Sequence, residues 1–378
     1  MRISVALIAL PLALASSTAM AGWEVSEPSL GTIVMGIDMT DNLNGLAAGA
    51  ANGSGPVIWR TLDGGDTWRV ADDELLTMSY MDISMTQSGF GVTGGMGMFY
   101  VMAGSTRTID DGRTWTKNGP PQFFAVYQDV EAIDDQHAAL VGSWGSLRSY
   151  GEGMAYTADG GNSWSFHEWG IDTWPRYVSF ASAEVGFMSG GHWPTESTRS
   201  MTPWTGRAIS SRLRMPSNLN YSDQKTEATG YRGVVARTDD GGQTWTSKLD
   251  VDGLYFNGIH FIDDLNGWVV GEGEDSASIY HTSDGGETWV EQWSGEAVLM
   301  QVRMVNNRIG WAAGGDLSTR FPTTLILRTT DGGQTWLPDP VEGDFIMFNI
   351  DAVDATHAWG VGYNLGNGQC GVLKYSAE

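Results

Sequence analysis

The chain has 378 residues, with 21 basic and 45 acidic side chains, a formal net charge of −24 and one cysteine. That charge speaks against binding to nucleic acid or to an anionic membrane, since both require a basic surface. The lone Cys370 rules out an intrachain disulfide, and a chain of this length buries enough core to need none.

Residues 1–21 read as a secretory signal: Arg2, an apolar stretch over 5–15, then Ala19-Met20-Ala21 as a small-residue cleavage site. The mature chain is expected to begin at Gly22 and to be periplasmic or secreted. No Cys follows that site to carry a lipid. No later apolar run approaches the roughly 18 residues of a membrane helix. The expectation is an exported protein without a transmembrane segment, and monomeric.

From there the chain is repetitive. A short first strand is marked by a β-branched residue, in turn Ile37, Ile83, Val130, Val178, Ile259, Val302 and Ile350. About a dozen residues later a second apolar strand closes on Gly49, Gly94, Gly142, Gly190, Gly271, Gly314 and Gly362. A third strand leads into a nine-residue phrase, which at 60–68 reads Arg-Thr-Leu-Asp-Gly-Gly-Asp-Thr-Trp, and a fourth strand starts at its Trp. The core Asp residues are Asp63, Asp110, Asp159, Asp240, Asp284 and Asp331, spaced by 47, 49, 81, 44 and 47. A period in the forties, four short strands per repeat and no helical periodicity predict an all-β propeller of four-stranded blades. Seven second strands against six Asp phrases make seven blades. The seventh stops at a third strand, 371–375, and Trp23-Glu-Val25 matches the missing fourth. The N-terminal strand is therefore expected to pair with the C-terminal blade and close the ring, which removes an exposed edge.

The repeated Asp invites a catalytic reading, and the pattern argues against it. Each Asp precedes a Gly pair, or Asp-Gly in the second copy, in a turn where its carboxylate accepts backbone N–H groups and Gly supplies positive φ. Six equivalent Asp residues on successive blades cannot converge on one substrate, so they read as structural hairpins. The six His residues show no metal-ligand spacing, no Gly-x-Ser-x-Gly elbow is present, and the Asp pairs lack the spacing of a calcium loop. No metal or cofactor is expected. Asp38, Asp82, Asp129 and Asp351 flank the first strands and are read as strand-end caps or the lining of a wet channel. Cys370 reads as a buried strand thiol.

The phrases of form Ser/Thr-x-Asp-x-Gly-x-x-Trp, alternating with Gly-Trp-x-x-Gly, resemble the Asp-box (bacterial neuraminidase repeat) propellers. The likeness is strongest to the photosystem II stability/assembly factor family, and it covers the whole mature chain. It implies a signal peptide, seven blades and a non-enzymatic role in holding a protein partner through an arginine-rich patch. Two departures stand out: the absence of a lipid-bearing Cys and a long insertion without a family counterpart. Asp-box propellers also include sialidases and other glycosidases, so an exported glycoside hydrolase is the rival reading. Against it, the Arg-Ile-Pro phrase of sialidases is missing, the boxes are evenly spaced, and no carboxylate pair must converge.

The interval of 81 marks the insertion, about 191–232, in a loop between second and third strands of blade four, on the face opposite the Asp boxes. It carries Arg199, Arg207, Arg212, Arg214, Lys225 and Arg232 against Glu196, Asp223 and Glu227, a local reversal of the chain's sign. Trp193 and Trp204 lie within it. Neighbouring loops add Trp144, Arg148, Trp174, Arg176 and Arg320. Arg with Trp is the composition of binding hot spots, and Arg forks suit carboxylates. These twelve Arg and Trp positions form the expected binding face for a protein partner, an acidic peptide or an acidic glycan.

Overall fold

The computed structural model describes residues 22–51, 55–74, 77–98, 104–117, 122–145, 150–192, 230–274, 276–318, 323–341 and 343–377. The signal segment and residues 193–229 of the insertion lie outside them. Among the described residues there is no helix, and the strand ladders run antiparallel. Residues 33–72 make one four-stranded sheet with its strands in chain order, and the arrangement recurs over 174–252, 255–295 and 297–338. Residues 79–117 and 124–168 repeat it twice more, fused into one eight-stranded sheet where Phe124, Ala125 and Val126 face Met98, Gly97 and Met96. The last sheet takes three strands from 345–376 and its fourth from Gly22–Gly31, with Trp23 opposite Tyr375 and Val25 opposite Leu373. The expected pairing of the chain's two ends is present.

Each first strand carries a register shift in its first half. Register shifts fall between Val34 and Gly36, Tyr80 and Asp82, Tyr127 and Asp129, Pro175 and Tyr177, Phe256 and Ile259, Leu299 and Gln301, and Met347 and Asn349. A bulge adds a residue on one side of the ladder and re-aims its neighbours. The second-strand glycines answer it. A Cβ on Gly49 would collide with the Ile33 carbonyl, and one on Gly314 with that of Val298. In the second unit this place belongs to Gly95, opposite Tyr80, one residue beyond the Gly94 that the spacing suggested.

The core lies between units. Leu46, Ala48 and Ile58 of the first pack on Tyr80, Ile83 and Trp115 of the second. Val34, Ile37 and Trp59 of that first unit also pack on Ile346, Trp359 and Val361 of the last. Clusters of the same kind join each consecutive pair in between. Trp268, Trp311 and Trp359, near the starts of their strands, are fully buried. At roughly 150–250 Å² apiece, each removes enough apolar area from water to stabilise by about 4–6 kcal/mol.

Candidate binding face and central channel

The six Asp boxes share one geometry. In the fourth, Asp240 Oδ1 accepts the Thr244 amide (2.9 Å) and the Thr238 hydroxyl (2.8 Å), while Oδ2 accepts the Thr244 hydroxyl (2.7 Å). Thr238 Oγ1 in turn accepts the Gly242 amide at 2.8 Å, closing the turn. Equivalent bonds hold Asp63, Asp110, Asp159, Asp284 and Asp331. The hydroxyl and amide of Ser163 hold Asp159 down at about 2, and those of Thr288 do the same for Asp284. These carboxylates are acceptors already in use. The boxes also tie neighbouring units together. The Gly64 carbonyl accepts Trp359 Nε1 (2.8 Å), Gly285 accepts Arg237 Nη1 (3.1 Å), and Gly332 accepts Gln292 Nε2 (3.0 Å).

A second set of bonds runs through the centre. The residue after each β-branched marker is polar, and it reaches the next unit's first strand. Asp38 accepts the Met85 amide (2.8 Å), Ser84 that of Ala132 (3.1 Å), and Glu131 that of Phe180 (2.6 Å). Ser179 accepts the Phe261 amide (3.0 Å) and His260 Nδ1 that of Met304 (3.2 Å). Arg303 forms an ion pair with Asp351 (3.0 Å), and Asp351 accepts the Met39 amide (2.8 Å). The bulges supply a parallel pair of bonds: Asp82 accepts the Val130 amide (3.1 Å) and Asp129 that of Val178 (2.7 Å). The four Asp residues flanking the first strands thus act as acceptors between strands. Glu131, His260 and Arg303 complete the set without having been singled out, although their shared position after the marker could have revealed them.

Burial governs the electrostatics here. It pushes Glu131 up to about 8, against the Phe180 amide and the Arg303 charge. Burial, then the nearby Asp351, lifts Asp38 to about 7. Asp82 is raised well above its ordinary value by burial and then by the adjoining Asp129, and burial raises Asp129 to about 7. Two carboxyls in such contact favour sharing one proton over carrying two charges. Burial and Arg303 lower His260 well below its ordinary value, consistent with a neutral ring accepting an amide. Arg303 keeps 40% of its side chain exposed, while Asp82, Asp129 and Asp351 are 6%, 5% and 5% exposed. Beside Asp82, a cavity of about 10 Å³ is bounded by Gln128, Arg176, Tyr177 and Asn349, with Met35 and Met81. That is room for one water.

The expected binding residues divide. Arg148, Arg199, Arg207, Arg212, Arg214, Arg320, Trp193 and Trp204 lie outside the described residues. Arg176, 3% exposed, sits with its guanidinium 5.4 Å from the Tyr177 ring and 5.9 Å from that of Tyr255, and donates to Gln128 Oε1 (3.2 Å). The bulge turns it into the channel, where it contributes to the core. Trp144, 9% exposed, lies tilted against Phe166 with ring centroids 4.7 Å apart, within the core cluster that joins 79–117 to 124–168. Trp174 is half-buried at the start of its strand. Arg232 grips Asp250 with two bonds, 2.9 and 2.7 Å, at the root of the insertion. The described residues therefore bring together a channel cluster, and among the expected face they leave Trp174 and Arg232 at the surface.

Comparison with known proteins bears on this architecture. The WD40 repeats of RRP9 superimpose with a TM-score of 0.58 at 8% identity, over 94% of this chain and 98% of theirs. The fold is a β-propeller. A solved structure of YCF48 bound to D1 peptide matches with a TM-score of 0.60 at 16% identity, over 95% of this chain and 98% of that one. A GH74 xyloglucanase from Xanthomonas campestris matches with 0.56 at 13% identity, over 91% of this chain and 54% of that one. In sequence, the chain is 23% identical over 146 residues to the photosystem II assembly lipoprotein Ycf48 of Synechococcus sp. (strain CC9902), 37% of this chain and 40% of that protein. It is 30% identical over 115 residues to the chloroplastic photosystem II stability/assembly factor HCF136 of Oryza sativa subsp. japonica, 28% and 25% of the two lengths. The chain thus spans less than half the length of the curated relatives it matches. No family model matches it. The propeller resembles the photosystem II assembly factors, as the repeats had suggested.

Proposed function

We propose that this chain is an exported, non-catalytic propeller of seven four-stranded blades that holds a protein partner on its Arg- and Trp-rich face. The pairing of Gly22–Gly31 with the C-terminal strands supports closure of the ring, as do the inter-unit bonds that return from Asp351 to Met39. The observation that carries the binding role is the local sign reversal of the insertion in a chain of net charge −24. An arginine-rich, tryptophan-bearing loop suits a partner segment rich in carboxylates, such as an acidic peptide tail. One structural neighbour is a YCF48 in complex with a peptide, which agrees in kind. The predicted signal over 1–21 and a monomeric state belong to the same proposal.

A glycosidase is the second reading, favoured by the xyloglucanase likeness and by the raised carboxyls of the channel. The geometry around those carboxyls weighs against it. Glycosidase carboxyls stand roughly 5–9.5 Å apart across a sugar, whereas Asp82 and Asp129 adjoin each other beside space for one water. Capture from native envelope extract separates the readings. Wild-type protein should retain a partner that an Arg207/Arg212/Arg214→Ala variant releases, with no glycan hydrolysis by either. Retention of every partner by the variant would overturn the assigned face.

A further inference from the structure

We propose that the carboxyl network at the centre of the propeller is a pH-dependent junction that holds neighbouring sheets together below neutral pH and loosens them above it. The geometry is a crowd of acids with too few counter-charges. Asp38, Asp82, Asp129, Glu131 and Asp351 project from four first strands into one channel, where Arg303 and Arg176 are the cations acting on them. Full ionisation would leave three uncompensated negative charges among these groups.

Every member has a neighbour that matters. Asp38 faces Asp351, Arg303 and Asp82, and Glu131 faces Arg303, Asp38 and Asp82. Asp129 faces Asp82, Glu131 and Arg176, with Tyr177 beside the pair. His260, neutral as an amide acceptor, adds no charge, and Ser84 and Ser179 complete the layer as hydroxyls. Arg176 is shared with Gln128, the rings of Tyr177 and Tyr255, and the buried acid Glu272.

The same carboxyls make the junctions. Asp82 holds the Val130 amide, Asp129 that of Val178, and Glu131 that of Phe180. Losing a proton shared by Asp82 and Asp129 sets two negative charges against each other at the joint between 79–117 and 124–168. Ionising Glu131 loads the next joint, towards the strand Trp174–Phe180. A carboxyl whose folded-state pKa lies above its unfolded value binds its proton more tightly when folded. Stability is therefore greatest below the unfolded pKa and declines as pH climbs to the folded one.

The test is the melting temperature of the full mature chain between pH 5 and pH 8.5, in about 0.5 M salt to screen the acidic surface. Wild type should lose about 5 °C or more over that span. Glu131→Gln and Asp82→Asn, which keep shape and acceptor, should each remove a substantial share of the slope. A flat or rising wild-type profile would overturn the proposal, as would two variants with the full slope. Should either variant fail to fold, hydrogen exchange on the wild type decides. The amides of Val130, Val178 and Phe180, corrected for intrinsic rate, should lose protection at pH 8.5 relative to core amides such as Val269. Equal protection at both pH values would refute it.

Discussion

Thr238 shows how much of this fold rests on single polar atoms. Its hydroxyl is buried, donates to Asp240, and accepts the Gly242 amide. Valine would keep the shape and leave that buried amide without its partner. Thr238→Val should cost about 1–3 kcal/mol in urea denaturation, whereas Gln243→Ala, an exposed change in the same turn, should be near neutral. The turn was legible because a short motif fixes its own bonding. Arg176 was not. Its composition read as surface, yet a bulge turned it into the channel, and bulge positions leave no clear mark in a sequence where Met35, Gln128 and Arg176 occupy the same place.

At the scale of the element, the N-terminal strand Gly22–Gly31 carries the most structural consequence for its length. Two register shifts interrupt its pairing, and most of its side chains are at least partly exposed. Trp23 anchors it, its ring tilted against Tyr375 with centroids 5.6 Å apart and its Nε1 donating to Asp339 Oδ2 at 3.0 Å. Trp23→Ala should destabilise by about 3–5 kcal/mol, the usual range for truncating a buried Trp. Removing the whole strand should expose the edge at 369–376 and bring concentration-dependent association in light scattering, the common fate of an unpaired edge. This element was visible from counting: seven second strands against six Asp phrases left one strand to find. The inward-facing acceptors were partly visible, since Asp38, Asp82, Asp129 and Asp351 stood out, while Glu131, His260 and Arg303 share a position but no residue type.

At the scale of the molecule, two populations of carboxyl oppose each other. Asp159 and Asp284, held down at about 2 by the hydroxyls and amides of Ser163 and Thr288, favour the fold above their unfolded values and lose that contribution as pH falls. Glu131, raised to about 8 by burial, acts in the opposite sense as pH rises. The guanidinium midpoint should therefore peak on the acid side of neutrality, at about pH 4–6, and fall on either side; a plateau extending through pH 8 would contradict this balance. The proposed binding role rests on the other departure from repetition, the insertion. Its sequence shows charge reversal plainly, whereas its partner depends on a surface that this chain alone does not contain. The most direct measurement is a fluorescence titration of the mature protein with an acidic, carboxylate-rich peptide and a charge-reversed control, at two salt concentrations. The account predicts saturable binding of the acidic peptide, weakened by salt and lost in Arg207/Arg212/Arg214→Ala. Equal binding by the triple variant, or a preference for the basic control, would contradict it.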